Sequence, residues 1–96
     1  MTSREGPDSN WTRWTGKIVV VDTDSSFVYI GTFVSADPTF IRLAAADVHD
    51  RRETPTTKER YVLDTKRFGV TANRREVAIR RDMVVSLSLL DDIVEY

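Results

Sequence analysis

Cysteine is absent from this 96-residue chain, which excludes a disulfide framework, a thiol nucleophile and a thiolate metal site. The sequence also lacks any apolar run near the roughly 18 residues that a membrane-spanning helix requires. The N-terminal segment is too polar for a signal peptide. These absences together predict a cytoplasmic protein with no membrane partner.

Histidine is scarce, and the sequence therefore offers few candidates for acid–base chemistry. The only one, His49, lies between Asp47 and Asp50, and a lone histidine in a polar stretch is more often an exposed residue than a base or a ligand. The adjacent Asp91 and Asp92 suit solubility better than a metal site. The sequence predicts no catalytic residue, no metal and no cofactor, and we do not expect an enzyme.

Charge of both signs is present, but it is unevenly distributed around a net charge of −1. Residues 49–82 contain ten of the 14 lysines and arginines and six acidic residues. Residues 83–96 contain acidic residues but no lysine or arginine. Only the middle segment could meet a polyanion by charge alone. Taken singly, its arginines are more often part of a solvated face with local ion pairs.

β-Branched and aromatic residues, separated by turn signals, predict five short strands. Pro38 separates the second strand from the third because proline cannot donate to a sheet ladder. The predicted strands, in chain order, span residues 17–22, 27–34, 40–46, 77–81 and 83–90. This pattern predicts a mostly β fold, a small and strongly bent five-stranded antiparallel sheet or barrel.

Glycine and tryptophan, both infrequent, predict how the sheet is bent and covered. Gly31 lies in the middle of the second strand, where glycine marks a sharp bend or a close backbone approach. Trp11 and Trp14 precede the first strand, and we expect them to pack over one end of the barrel. The alternative role for these indoles is a stacking platform for a base.

A long insertion over residues 47–74 separates the third strand from the fourth. Within it, Thr56 and Glu59 have the spacing of a capping box, residues 58–68 tolerate a helix, and Gly69 can cap its end. We expect this insertion to lie outside the core and to be available to a protein partner. The predicted organisation is one domain over residues 13–96, preceded by a disordered lead-in over residues 1–12.

Two motifs in this chain resemble those of the Sm and Sm-like (LSm) proteins, the family that includes the bacterial RNA chaperone Hfq. The first is a bent strand with an internal glycine, a hydrophobic residue, an aspartate and a further hydrophobic residue, matched here by Gly31, Phe33, Asp37 and Phe40. The second is an aliphatic residue, an arginine and a hydrophobic strand, matched by Ile79, Arg80, Asp82 and residues 84–87. Over roughly residues 14–90, the resemblance implies an Sm-like barrel of the SH3-like class.

The departures from the family pattern bear on function. Ile41 stands where the family has a base-contacting asparagine, and Arg81 stands where it has a glycine. Isoleucine cannot hydrogen-bond a base edge, so base specificity should be reduced. Arg80 can still stack on a base or pair with a phosphate. The RNA-binding residues that the resemblance implies are Asp37, Phe40, Ile41, Arg80 and Arg81.

The resemblance also implies an assembly. In that family the fourth strand of one subunit pairs with the fifth strand of the next, closing a ring of six or seven subunits, and both strands are apolar enough here to pair so. The expected function is therefore a homo-oligomeric ring that binds single-stranded RNA near its pore. The alternative is an Sm-like scaffold or protein-interaction barrel without RNA binding, which Ile41, the acidic tail and the near-zero net charge favour.

Overall fold

The computed structural model describes residues 11–53 and 55–94, and this part of the chain holds one five-stranded antiparallel sheet and one α-helix. The elements are β1 (Ile18–Thr23), β2 (Phe27–Ala36), β3 (Phe40–Asp50), α1 (Lys58–Phe68), β4 (Arg74–Arg80) and β5 (Val84–Leu89). The strand order is β4-β3-β2-β1-β5, and every neighbouring pair is antiparallel. This confirms the predicted fold class, and it makes β4 and β5 the two outer edges of the sheet.

The sheet has an irregular register where β3 passes Gly31. Between two pairings the register advances by two residues on β2 and by three on β3, so that Ala45 and Ala46 both stand opposite Gly31. A Cβ atom on Gly31 would lie 2.9 Å from both the Cα and the Cβ of Ala46. The predicted close backbone approach is therefore present, and β3 carries a bulge that increases the local twist.

Apolar side chains form two buried clusters, and successive residues of β1 contribute to them in turn because side chains alternate across a strand. The upper cluster holds Val19 and Val21 of β1 together with buried residues of the other strands, namely Phe33, Ile41, Leu43, Ala46 and Ile79. The lower cluster holds Val20 and is completed by Val62 of α1 and by Leu90. The helix is therefore part of the core.

The predicted insertion needs correction, because residues 47–74 do not lie outside the core. Strand β3 continues to Asp50 and β4 begins at Arg74, so the sheet takes up both ends of the segment. In α1 the Val62 side chain is only 6% exposed. The helix contacts the sheet through a narrow stripe centred on Val62.

Helix α1 spans the residues predicted for it, but its first cap is Thr57 and not Thr56. The Thr57 hydroxyl oxygen accepts a hydrogen bond of 3.2 Å from the backbone N–H of Arg60. At the other end Gly69 has φ of 92° and donates its N–H to the carbonyl of Thr65 at 2.8 Å. This positive φ favours glycine and confirms its predicted role as the C-terminal cap.

His49 does not lie in a polar loop, as the sequence predicted, because β3 extends past it. Its ring stacks on Tyr61 of α1 with centroids 4.0 Å apart, and its buried Nε2 has no hydrogen-bond partner in the described part of the chain. Tyr61 donates its hydroxyl to Asp47 at 2.8 Å. Burial, and then this bond, raise the pKa of Tyr61. The cluster fastens the helix to the sheet.

The predicted lead-in over residues 1–12 falls mostly outside the described residues. At its end, Trp11 already packs on the sheet, with its ring 6.2 Å from that of Phe33. Trp14 lies 6.3 Å from the same ring, edge to face. The two indoles therefore cover one end of the upper cluster, as the sequence predicted.

Candidate nucleic-acid interface

Two turns meet at one end of the sheet. One joins β2 to β3 over residues 37–39, and the other joins β4 to β5 over residues 81–83. They are brought together because Phe40 pairs with Arg80 across β3 and β4. The backbone N–H of Arg81 also donates to the Thr39 carbonyl at 2.8 Å. Motifs that lie some 40 residues apart in the chain thus form one surface, which we call the paired turns.

Asp37 organises the first of the paired turns. One of its carboxylate oxygens accepts the backbone N–H groups of Thr39 at 2.8 Å and Phe40 at 2.7 Å. The other accepts from the Arg42 guanidinium at 2.8 Å. The Arg42 hydrogen bond and then the two backbone bonds lower the pKa of Asp37 to about 2. This carboxylate is therefore a structural anchor that stays ionised, and it has little capacity left to bind a ligand.

Arg81 links the paired turns to the N-terminal tryptophans. Its Nη1 donates to the Asp37 carbonyl at 2.7 Å, and its guanidinium carbon lies 5.0 Å from the centroid of the Trp11 ring. A glycine at this position could make neither contact. The structure therefore places Arg81 as a clamp between the turns and Trp11, where sequence reasoning had placed a pore-lining cation.

Arg80 is the predicted cation that faces solvent. Its side chain is 64% exposed, and its Nη2 donates to the Asp82 carboxylate at 2.6 Å. The Asp82 side chain is 63% exposed. An ion pair this exposed contributes little to folding and can be exchanged for another anion. Arg80 can therefore move from Asp82 to a phosphate or to the face of a base.

Phe40 and Ile41 are separated by the alternation of the strand. Phe40 is half-buried, and the Arg42 guanidinium lies 5.8 Å above its ring. Ile41 is fully buried in the upper cluster and pairs with Ile79 of β4. The turn is so short that position 41 already lies inside the sheet. Ile41, one of the predicted RNA-binding residues, therefore has no side-chain surface to offer an RNA.

Two other features are absent from the described residues, a metal cluster and a membrane-spanning helix. Among residues 11–53 and 55–94, no three His, Asp or Glu side chains are placed so that they could hold a metal ion. The same part of the chain has no helix long and apolar enough to cross a membrane. The chemistry available at the paired turns is electrostatic and stacking contact from Arg80 and Phe40.

The comparisons with known proteins agree with this architecture. The chain is similar to the Sm protein of Pyrococcus abyssii, whose structure is in complex with a uridine heptamer, with a TM-score of 0.58. The match covers 88% of this chain and 99% of that one, at 22% sequence identity. The chain has an Sm-like fold. No family model and no curated protein sequence matches it, so the likeness lies in the fold.

Two parts of the site were missed by sequence reasoning. The Asp37–Arg42 bond joins residues five apart across a turn, and the spacing of an acid and a base about a proline was its only available signal. The Arg81–Trp11 contact joins residues 70 apart in the chain. Nothing local in the sequence indicates that contact, because it depends on the paired turns lying beside Trp11 in the folded chain.

Proposed function

We propose that this chain is a subunit of an Sm-like ring that binds single-stranded RNA at the paired turns with little base specificity. The observation that carries the proposal is the arrangement of the paired turns, where the exposed Arg80 lies beside a turn held rigid by Asp37. The Sm-like fold supports it, as does the uridine heptamer bound to the Sm protein of similar fold. A closed ring would repeat the paired turns around one opening.

Binding would proceed by exchange of anions. A phosphate or a base approaching Arg80 displaces Asp82, and because both side chains are well exposed the exchange costs little. The RNA backbone then lies across copies of Arg80 from successive subunits. Base reading is weak because position 41 is buried and the Asp37 carboxylate is occupied by three donors.

A second candidate is an Sm-like scaffold that does not bind RNA. One observation favours it, namely that two arginines on this surface are each paired with an acid, Arg80 with Asp82 and Arg42 with Asp37. With Arg81 included, three arginines stand against two aspartates, so the local charge of the paired turns is only weakly positive. The net charge of the whole chain, −1, provides no long-range attraction for a polyanion.

Fluorescence anisotropy with labelled oligouridine and oligoadenosine of equal length separates the two functions. We expect binding to both. The logarithm of the binding constant should fall linearly with the logarithm of the salt concentration, with a slope of about −0.7 for each phosphate contacted. Arg80→Ala should weaken binding by about tenfold or more. Asp82→Asn should strengthen it by roughly threefold because it frees Arg80 without adding charge elsewhere.

The matched control is Arg60→Ala, which removes an exposed arginine from an ion pair on α1, away from the paired turns. It should leave RNA affinity within about twofold. If Arg80→Ala and Arg60→Ala lowered RNA affinity equally, the affinity would depend on charge alone and not on the paired turns. An absence of binding at low salt for the wild type and for Asp82→Asn would establish the scaffold instead.

A further inference from the structure

The two outer edges of the sheet carry charges of opposite sign. Strand β4 contains three arginines and one glutamate. Strand β5 contains no charged residue. Arg81 and Asp82 precede it and offset each other in charge, and Asp91 and Asp92 follow it. The β4 edge is therefore basic and the end of the β5 edge is acidic, although the whole chain is nearly neutral.

The charges at one end of these edges are exposed and uncommitted. Arg74, Arg75, Asp91 and Asp92 are all exposed. Arg74 donates only to the carbonyl of its neighbour Asn73, at 3.0 Å. Within residues 11–53 and 55–94, none of these four side chains belongs to an ion pair. They are available to a second molecule.

Antiparallel geometry decides which charges would meet. All strand pairs in the sheet are antiparallel, and a second copy that continues this pattern would lay its β5 antiparallel to β4. Because β4 has seven residues and β5 has six, their ends nearly coincide. Arg74 and Arg75 then lie beside the end of the neighbouring β5, where Asp91 and Asp92 follow.

The charges of β4 oppose pairing between two β4 edges. Two antiparallel β4 strands would place Arg74 and Arg75 of one copy against Arg80 of the other. Like charges directly opposite each other are destabilising, so β4 favours a head-to-tail contact with β5 over a two-fold contact with itself.

We propose that Arg74 and Arg75 of one copy pair with Asp91 and Asp92 of the next, and that these charge pairs select the head-to-tail contact between copies of this chain. The proposal rests on the ring of the proposed function and adds the residues that give the contact its direction. Exposed charge pairs act weakly one at a time, but a closed ring repeats the set at every interface.

Charge reversal tests the proposal by analytical ultracentrifugation. Arg74→Glu with Arg75→Glu makes both edges acidic, and Asp91→Lys with Asp92→Lys makes both edges basic. Each double variant alone should dissociate at a protein concentration about tenfold or more above that of the wild type. The chain with all four substitutions should assemble like the wild type, because complementarity is restored with the signs exchanged.

Salt gives a readout that a purely structural effect would not produce. The screening length falls from about 10 Å at 0.1 M to about 3 Å at 1 M ionic strength. Added salt should therefore weaken the wild-type assembly and strengthen that of either double variant, since in the variants it screens repulsion.

Mixing the two double variants gives a second test, by native mass spectrometry. An acidic-edged copy can contact only a basic-edged copy, so the mixture should form rings with the two alternating. Alternation around a closed ring requires an even number of subunits. We expect equal numbers of the two variants in every closed ring and no seven-membered ring, even if the wild type forms one.

The control is the pair Arg52→Glu and Arg60→Glu, which reverses two exposed arginines away from both edge strands. It should assemble like the wild type. If either edge variant fails to fold by circular dichroism, Arg74→Gln with Arg75→Gln replaces it and should abolish the salt dependence of assembly.

Three outcomes would overturn the inference. A wild type that assembles, with variants that assemble equally well, would remove it and leave the proposed ring intact. So would a fourfold variant that stays dissociated although it folds. A wild type that remains monomeric at every concentration would remove the ring and the charge pairs together, while RNA binding by the monomer would still be open to measurement by anisotropy.

Discussion

At the scale of single residues, the sheet depends on a glycine and an alanine on neighbouring strands. Gly31 has no room for a side chain, because Ala46 backbone and side-chain atoms lie 2.9 Å from where its Cβ would be. Ala45, which forms the bulge beside it, has φ of 49°, a conformation that favours glycine. Alanine at position 31 and glycine at position 45 should therefore change the free energy of unfolding in opposite directions.

Gly31→Ala should lower the free energy of unfolding by about 1–3 kcal/mol, since the added methyl must push backbone apart. Ala45→Gly should raise it by about 0.5–1 kcal/mol by relieving the positive φ at an exposed position. Urea denaturation measures both. Adding Ala46→Gly to Gly31→Ala should recover part of the loss. If Ala45→Gly destabilised the protein as much as Gly31→Ala, the bulge geometry would be wrong.

Asp37 gives stability a pH dependence in acid. Its pKa is lowered from 3.8 to about 2 in the folded protein, mainly by the Arg42 bond and then by two backbone bonds. A lowered folded pKa means that the stabilisation is present above the unfolded pKa and is lost as pH falls towards about 2. Asp37→Asn should flatten the fall in thermal unfolding temperature over this window while leaving the temperature lower at neutral pH. If the unfolding temperature of the variant fell with pH as steeply as that of the wild type, Asp37 would not be anchored as described.

At the scale of elements, α1 acts as the cover of the lower cluster. It presents Val62 to Val20, Val28 and Ile30, whereas Phe68 at its last position is 80% exposed. The His49–Tyr61 stack and the ion pair between Lys58 and Asp22 at 2.6 Å also hold the helix against the sheet. Deleting residues 54–66 would be tolerated if the insertion lay outside the core, but because Val62 is buried the deletion should expose the lower cluster.

Val62→Ala should therefore lower the free energy of unfolding by roughly 2 kcal/mol, because it removes buried methyl groups and leaves a cavity. Phe68→Ala, a larger truncation on the same helix, should change it by less than about 0.5 kcal/mol. Chemical denaturation of both variants checks the contrast. A greater loss from Phe68→Ala would mean that the helix packs through its other end.

At the scale of the whole molecule, the sheet ends in two strands that no other strand covers within the described residues. An uncovered edge presents unpaired N–H and C=O groups, and most proteins protect it. On β5 the exposed Val85, at 67%, leaves an apolar side chain beside those groups. Both features are expected of a surface that another copy covers.

Light scattering should accordingly show a closed assembly of about six or seven subunits, as the family resemblance implies. Val85→Lys should break it while leaving the subunit folded. Leu87→Lys is a poorer probe, because Leu87 also packs against the upper cluster and a charge there would destabilise the subunit itself. A clean monomer of the wild type at high micromolar concentration would remove the ring.

The sequence by itself determined the number, order and approximate positions of the strands and the helix, since turn residues and β-branched runs act locally. It located α1 over residues 58–68 and identified Gly31 as a close approach, because glycine within a strand has few other causes. It could not show that β3 continues past the bulge at Ala45, nor that His49 is consequently half-buried with its Nε2 atom enclosed, because both depend on pairing with distant segments. In the same way, the burial of Ile41, the clamp of Arg81 on Trp11 and the opposite charges of the two edges were decided only when the chain folded. Those features are relations between residues far apart in the chain, and tertiary structure alone sets such distances.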